Sequence, residues 1–99
     1  ADNALSRYIA QKGKCAITHV PLSIEDIDCI HIKPNTKIRN DSYKNLILLS
    51  KDIQQFVVSP NVEILPDEIY GTKITVEMKE KINKLRVCRN LKEIQFKTI

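Results

Sequence analysis

No run of apolar residues in the chain approaches the ~20 that a membrane-spanning helix needs. No charged start followed by an apolar stretch opens it either, so nothing marks it for secretion and the expected setting is cytoplasmic. Glycine is nearly missing: with only Gly13 and Gly71, a glycine-rich phosphate loop is excluded. Cysteine is sparse and odd in number. Cys15, Cys29 and Cys88 contain no CxxC pair, which argues against a disulfide framework and against a paired-cysteine zinc site. A zinc site from Cys15, His19 and Cys29 lacks the usual ligand spacing, so the cysteines read as reduced thiols in or near a core. Methionine occurs once, at Met78, and the chain opens on Ala1, which fits a processed protein or a piece of a longer one.

What is present is ordinary for a globular domain: 99 residues, 42% hydrophobic and 28% charged, enough for one modest core and a single domain spanning 1–99. The net charge is +4, unevenly spread. Residues 33–44 carry Lys33, Lys37, Arg39 and Lys44 against Asp41 alone, and residues 72–99 carry eight basic residues against Glu77, Glu80 and Glu93. The stretch between them is acidic, with Lys51 against Asp52, Glu63, Asp67 and Glu68. Two basic segments of this kind suit either a phosphate-binding face or a solvated surface.

The pattern predicts an α+β fold. NALSRYIAQKG reads as a helix with Leu5, Tyr8 and Ile9 on one face and Gly13 as its left-handed stop. KCAITHVPL reads as a β-rich stretch closed by Pro21. Residues 28–32 read as a strand ended by Pro34. After the polar loop PNTKIRNDSYK, the run NLILL reads as a strand buried on both faces. Ser50 can cap a helix from Lys51 to about Val58, with Ile53, Phe56 and Val57 inward. Pro60 and Pro66 bracket a loop. A last helix starts near Thr75, with Met78, Ile82 and Leu85 as its apolar face and Lys79, Lys81, Lys84, Arg86 and Arg89 crowding the rest.

Strand, polar loop, strand and helix together make a ββα unit over about residues 24–58, flanked by N-terminal and C-terminal helices. His31 falls at the end of the first strand and Asn45 at the start of the second. A histidine in that place is either a satisfied core residue or a general base. In nucleases of this shape the base takes a proton from water while a metal neutralises the phosphate and the leaving oxygen.

Five stretches in order carry a resemblance: KGKCAITH (12–19), DCIHIKP (28–34), DSYKNLILL (41–49), QQFVV (54–58) and KINKLRVCRN (81–90). They resemble the HNH endonuclease family, and more narrowly the C-terminal HNH domain of bacterial group II intron reverse transcriptase/maturase proteins. That branch reads K-G-K-C-A-x-T-G, E-C-H-H-x-K-P, D-x-Y-K-N-L, H-K-L-I-H and K-L-N-K-L-R-K. The resemblance implies a ββα-metal core, His31 as general base and Asn45 as the residue that fixes the loop and orients that base.

Three departures fall on the family's metal ligands. The first histidine of E-C-H-H is Ile30, and the two helix histidines are Gln54 and Val58. Gln54 offers at most a weak carbonyl oxygen, and isoleucine and valine offer nothing. Asp28 is a weak substitute ligand, because on a strand it points opposite to Cys29 and away from the side of His31. Without a metal, a positioned base supplies only ~10²–10⁴-fold, far less than phosphate-ester cleavage requires. The expectation is therefore a degenerate HNH-like domain without a bound cofactor. It would bind DNA, or alternatively RNA, through Lys33, Lys37, Arg39, Lys44, Lys84, Arg86 and Arg89, as part of or derived from a reverse transcriptase chain. The alternatives are an active nuclease using Mg²⁺ or Mn²⁺ with His31, and a protein-interaction scaffold.

Overall fold

The computed structural model describes residues 3–26, 29–34 and 40–96. The fold is α+β, and the chain divides into two compact units, Ala1–Ser50 and Lys51–Ile99. The boundary falls inside the segment expected to form the ββα unit, so its strands belong to the first unit and its helix to the second. Among the described residues no helix is long and apolar enough to cross a membrane.

In the first unit, helix α1 (Asn3–Ala10) precedes an antiparallel pair, β1 (Cys29–His31) and β2 (Leu46–Leu48). The register sets Cys29 opposite Leu48, Ile30 opposite Ile47 and His31 opposite Leu46. Cys15, Ile17, Ile30, Leu46, Leu48 and Leu49 form the core, each large aliphatic side chain contributing ~1.5–3 kcal/mol on burial. The expected burial of the α1 face is only partial. Tyr8 is half-buried, but Leu5 is 43% and Ile9 68% exposed.

The stop of α1 also differs in detail. Lys12 (φ 56°) takes the left-handed position and Gly13 (φ 68°) follows it. Gly13 N–H donates to Tyr8 O and Lys12 N–H to Ile9 O, the paired bonds of a Schellman motif. A Cβ at position 13 would also lie 3.0 Å from the Tyr8 hydroxyl oxygen, so the tip of that ring would have to give way.

The stretch expected to be β-rich is instead a tight turn with a single bridge, Lys14 to Pro21. Cys15 N–H donates to Val20 O and His19 N–H to Cys15 O, and His19 sits at φ 62°. The turn uses up the backbone groups that a strand ladder would need.

In the second unit, α2 (Lys51–Val58) has the predicted bounds, with Ile53 and Val57 buried. Helix α3 (Val76–Cys88) starts at the predicted cap, Thr75 Oγ1 accepting from Met78 N–H at 3.2 Å. It ends in a second Schellman motif, with Asn90 at φ 62° and Leu91 N–H donating to Arg86 O.

On either side of α3 the structure adds short strands that the sequence did not announce. β3 (Ile64–Leu65) pairs in parallel with β6 (Gln95–Phe96), and β4 (Glu68–Ile69) pairs antiparallel with β5 (Thr72–Lys73). The β4–β5 turn is Tyr70 (φ 45°) and Gly71 (φ 81°). Positive φ at both central positions suits Asn-Gly, and a bulky residue there costs about 1–2 kcal/mol.

The buried face of α3 is not the expected one. Ile82 is inside, but so are Lys79, Asn83 and Arg86. Lys79 Nζ reaches Asp67 Oδ1 at 2.7 Å. Asn83 donates to Ile94 O and accepts from Ile94 N–H. Arg86, 1% exposed, donates to the carbonyl oxygens of Phe56, Ser59 and Lys92.

Candidate functional site

Alternation along β1 decides where its side chains go. Ile30 turns into the core while Cys29 and His31 face the other side, as successive strand residues must. His31 keeps 24% of its side chain exposed, and its Nε2 lies 2.6 Å from Asp41 Oδ1. An ionised carboxylate only accepts, so against it Nε2 is the donor of this bond. Asp41 is the residue that sequence reasoning missed, having counted only as the acid in a basic stretch. Nothing local signals it, because the contact spans ten positions.

Asp41 is itself held from the outside. Asn3 Nδ2 on α1 donates to Asp41 O at 2.9 Å. One turn later Arg7 Nε donates to Tyr43 O at 3.0 Å, and the guanidinium lies over the Tyr43 ring at 4.2 Å from its centroid. Asn3 and Arg7 share a helix face by their i, i+4 spacing, so α1 braces the backbone that presents Asp41.

Asn45 is buried and its side chain closes the segment between the strands. Its Oδ1 accepts from Lys33 N–H at 2.9 Å, and its Nδ2 donates to Lys33 O at 3.1 Å and Asn40 O at 2.8 Å. Its own carbonyl accepts from Ile32 N–H at 2.8 Å. One amide thereby ties residue 33 to residue 40 and satisfies three backbone groups, each of which would cost about 1–3 kcal/mol if buried unpaired. Lys33 and Lys44 are exposed on either side of this clamp. Lys37, Arg39 and Asp28 lie outside the described residues.

The basic residues of α3 behave otherwise, and Arg86 is a correction to the expected nucleic-acid contacts. Its donors already serve three carbonyl oxygens in the interior, and burial pushes its guanidinium below the usual value. Arg89 is half-buried and shifted in the same direction by burial. Lys84 is exposed, but the outward charges of the helix are Glu77, Glu80, Lys81 and Lys84, which cancel.

The residues at the three family metal positions differ in what they offer. Ile30 has no lone pair and faces the core. On α2, Gln54 and Val58 are half-buried and share a face at i, i+4, with only the Gln54 amide able to coordinate. No three His, Cys, Asp or Glu side chains among the described residues group to hold a metal ion, and Cys15, His19 and Cys29 are not brought together as ligands. Cys15 has a different environment. Burial pushes its thiol up, but hydrogen bonds from the Thr18 hydroxyl and from the N–H groups of Thr18, Ser50 and Ile17 outweigh this and leave it below the usual value. Compared with family models, with curated proteins and with solved structures, the chain matches none.

Proposed function

We propose that the chain is a degenerate HNH-type domain that binds nucleic acid, DNA in the first place, and that it belongs to or derives from a group II intron reverse transcriptase/maturase. In this reading β1, β2 and α2 are the ββα unit. His31 is the surviving base, and the metal positions at 30, 54 and 58 no longer support cleavage. The observation that carries the binding role is the Asn45 clamp. It joins the backbone of Lys33 to that of Asn40, while Lys33 and Lys44 stay exposed. Lysines carried on a backbone held by a buried amide present their charges at less entropic cost than lysines on a free chain.

The test is duplex DNA and RNA binding by fluorescence anisotropy across a salt series. Affinity should fall with salt, with a slope of about −0.9 per phosphate neutralised on DNA. No binding, or binding indifferent to salt, defeats the proposal. Nicking of plasmid DNA with Mg²⁺ or Mn²⁺ that disappears in His31→Ala would restore the active-nuclease reading instead. The exposed Leu5 and Ile9 on α1 favour one further reading, a protein-interaction scaffold. It predicts a partner whose binding is lost in Ile9→Glu and is insensitive to changes at Lys33 and Lys44.

A further inference from the structure

We propose that the pocket over Arg86 binds a small organic acid through its carboxylate. The site lies within the second unit and stands apart from the nucleic-acid reading. Arg86 is 1% exposed, and a guanidinium stays charged at any ordinary pH, with five N–H donors in a planar fork. Three of them are spent. Nε donates to Lys92 O at 2.7 Å, and Nη1 donates to Phe56 O at 2.8 Å and to Ser59 O at 2.7 Å. The two N–H groups of Nη2 meet no acceptor among the described residues. The three carbonyls hold the fork, so Nη2 points in a fixed direction. Every sealed side-chain nitrogen or oxygen among the described residues has a partner, so Nη2 is not sealed in. It opens where Arg86 lines a pocket of about 490 Å³, between residues 60–63 and residues 92–95.

The charge of Arg86 is unanswered as well. Carbonyl oxygens supply hydrogen bonds but no countercharge, and a buried charge is ordinarily paired. No carboxylate among the described residues forms an ion pair with Arg86. Burial alone moves its pKa, with no acid pulling it back. Glu63 and Glu93 line the same pocket, yet both are exposed and neither closes on the guanidinium. A ligand carboxylate at Nη2 supplies the missing countercharge and accepts a charge-assisted hydrogen bond.

The rest of the lining selects the kind of anion. Arg86 and Lys92 face Glu63 and Glu93 around the pocket, so its charges nearly balance. That balance suits a single negative charge placed at Nη2 and disfavours a polyanion, a nucleic-acid backbone included. Pro60 and the half-buried Val62 give the pocket an apolar wall, which the carbon part of an organic acid can cover. The volume falls in the range of ~300–1,000 Å³ typical of small-molecule sites, far more than the ~30 Å³ of a water.

The test titrates the whole chain with butyrate, butyramide and inorganic phosphate at constant ionic strength. NMR follows the side-chain Nε–H signal of Arg86, one of four arginines, and the backbone amides of residues 61–63 and 92–95. Because the Arg86 signal is read directly, no variant of this core residue is needed. Butyrate should shift these signals saturably, with a Kd of about 1 mM. Butyramide, the same shape without the charge, should leave them in place at the same concentration. Phosphate should bind about tenfold more weakly than butyrate, because the two glutamates oppose its second charge. Lys92→Glu, a change at an exposed side chain, should keep the melting temperature and weaken butyrate about fivefold. The absence of a saturable shift, an equal response to butyramide, phosphate binding as tight as butyrate, or wild-type affinity in Lys92→Glu each overturns the assignment. None of these outcomes touches the nucleic-acid reading, which the anisotropy series tests separately.

Discussion

Residues 33–44 and helix α3 look alike in the sequence, each a basic stretch with few acids, and the structure puts them to opposite uses. In the first, Lys33 and Lys44 stay exposed around an asparagine that holds the backbone. In the second, Lys79 and Arg86 go inside and hold the backbone themselves. The difference lies in what the neighbouring chain leaves unpaired. The end of α2 and the residues after α3 present carbonyl oxygens with no strand or helix to receive them, and Arg86 answers three at once. The ends of the 33–40 segment present both donors and acceptors, which a neutral amide serves and a cation cannot.

Removing the buried cation should give the largest effect. Arg86→Ala should lower unfolding free energy by about 3–4 kcal/mol in denaturant titrations. Arg86→Lys should rescue little, since an ammonium cannot reproduce the planar fork. Wild-type stability in Arg86→Ala would break the contrast. Asn45→Ala should cost about 2 kcal/mol by the same measurement, and should also weaken DNA binding as the basic segment loses its anchor. The double variant Lys33→Glu/Lys44→Glu should change stability by less than about 0.5 kcal/mol, yet flatten the salt slope of DNA binding by about 0.9 for each phosphate no longer neutralised. If it unfolds instead, these lysines belong with Arg86.

The smallest effect concerns two strained turns, one in each unit. His19 (φ 62°) and Tyr70 (φ 45°) both occupy the left-handed region, and the family pattern resembled by residues 12–19 has glycine at position 19. His19→Gly should raise stability by about 1 kcal/mol with nucleic-acid binding unaltered, as read by thermal melts and anisotropy. Tyr70→Asn should raise stability by a similar amount, read by the same melts. Unchanged melting temperatures in both variants would show that neither turn stores strain.

Elements with a local code were legible in the sequence. Thr75 announced α3 through its own hydroxyl, and Ile53 and Val57 announced α2 by their spacing. The β1–β2 pair followed from apolar runs separated by polar residues. The inside of α3 was not legible, because Lys79 and Arg86 are core residues only by virtue of Asp67 and of carbonyls far along the chain. The strands of the second unit are two residues long and cannot display a period of two. At the candidate site, the strand–loop–strand pattern placed His31 and Asn45 and the resemblance gave them roles, whereas Asp41 depends on the fold of the segment between them.

The parallel pairing of β3 with β6 has a consequence for the order of events during synthesis. Ile64 and Leu65 find their partners only at Gln95 and Phe96, and the Asn83 side chain waits for Ile94. A ribosome delivers the chain from its N-terminus, so residues 1–50 can close their hairpin and core while the rest is still being made. The second unit stays open, with the edge of β3 and the buried side of α3 exposed, until residue 96 has emerged. That interval is when an unpaired strand edge invites misassociation. A chain stalled shortly after α3 would therefore be the form most in need of a chaperone.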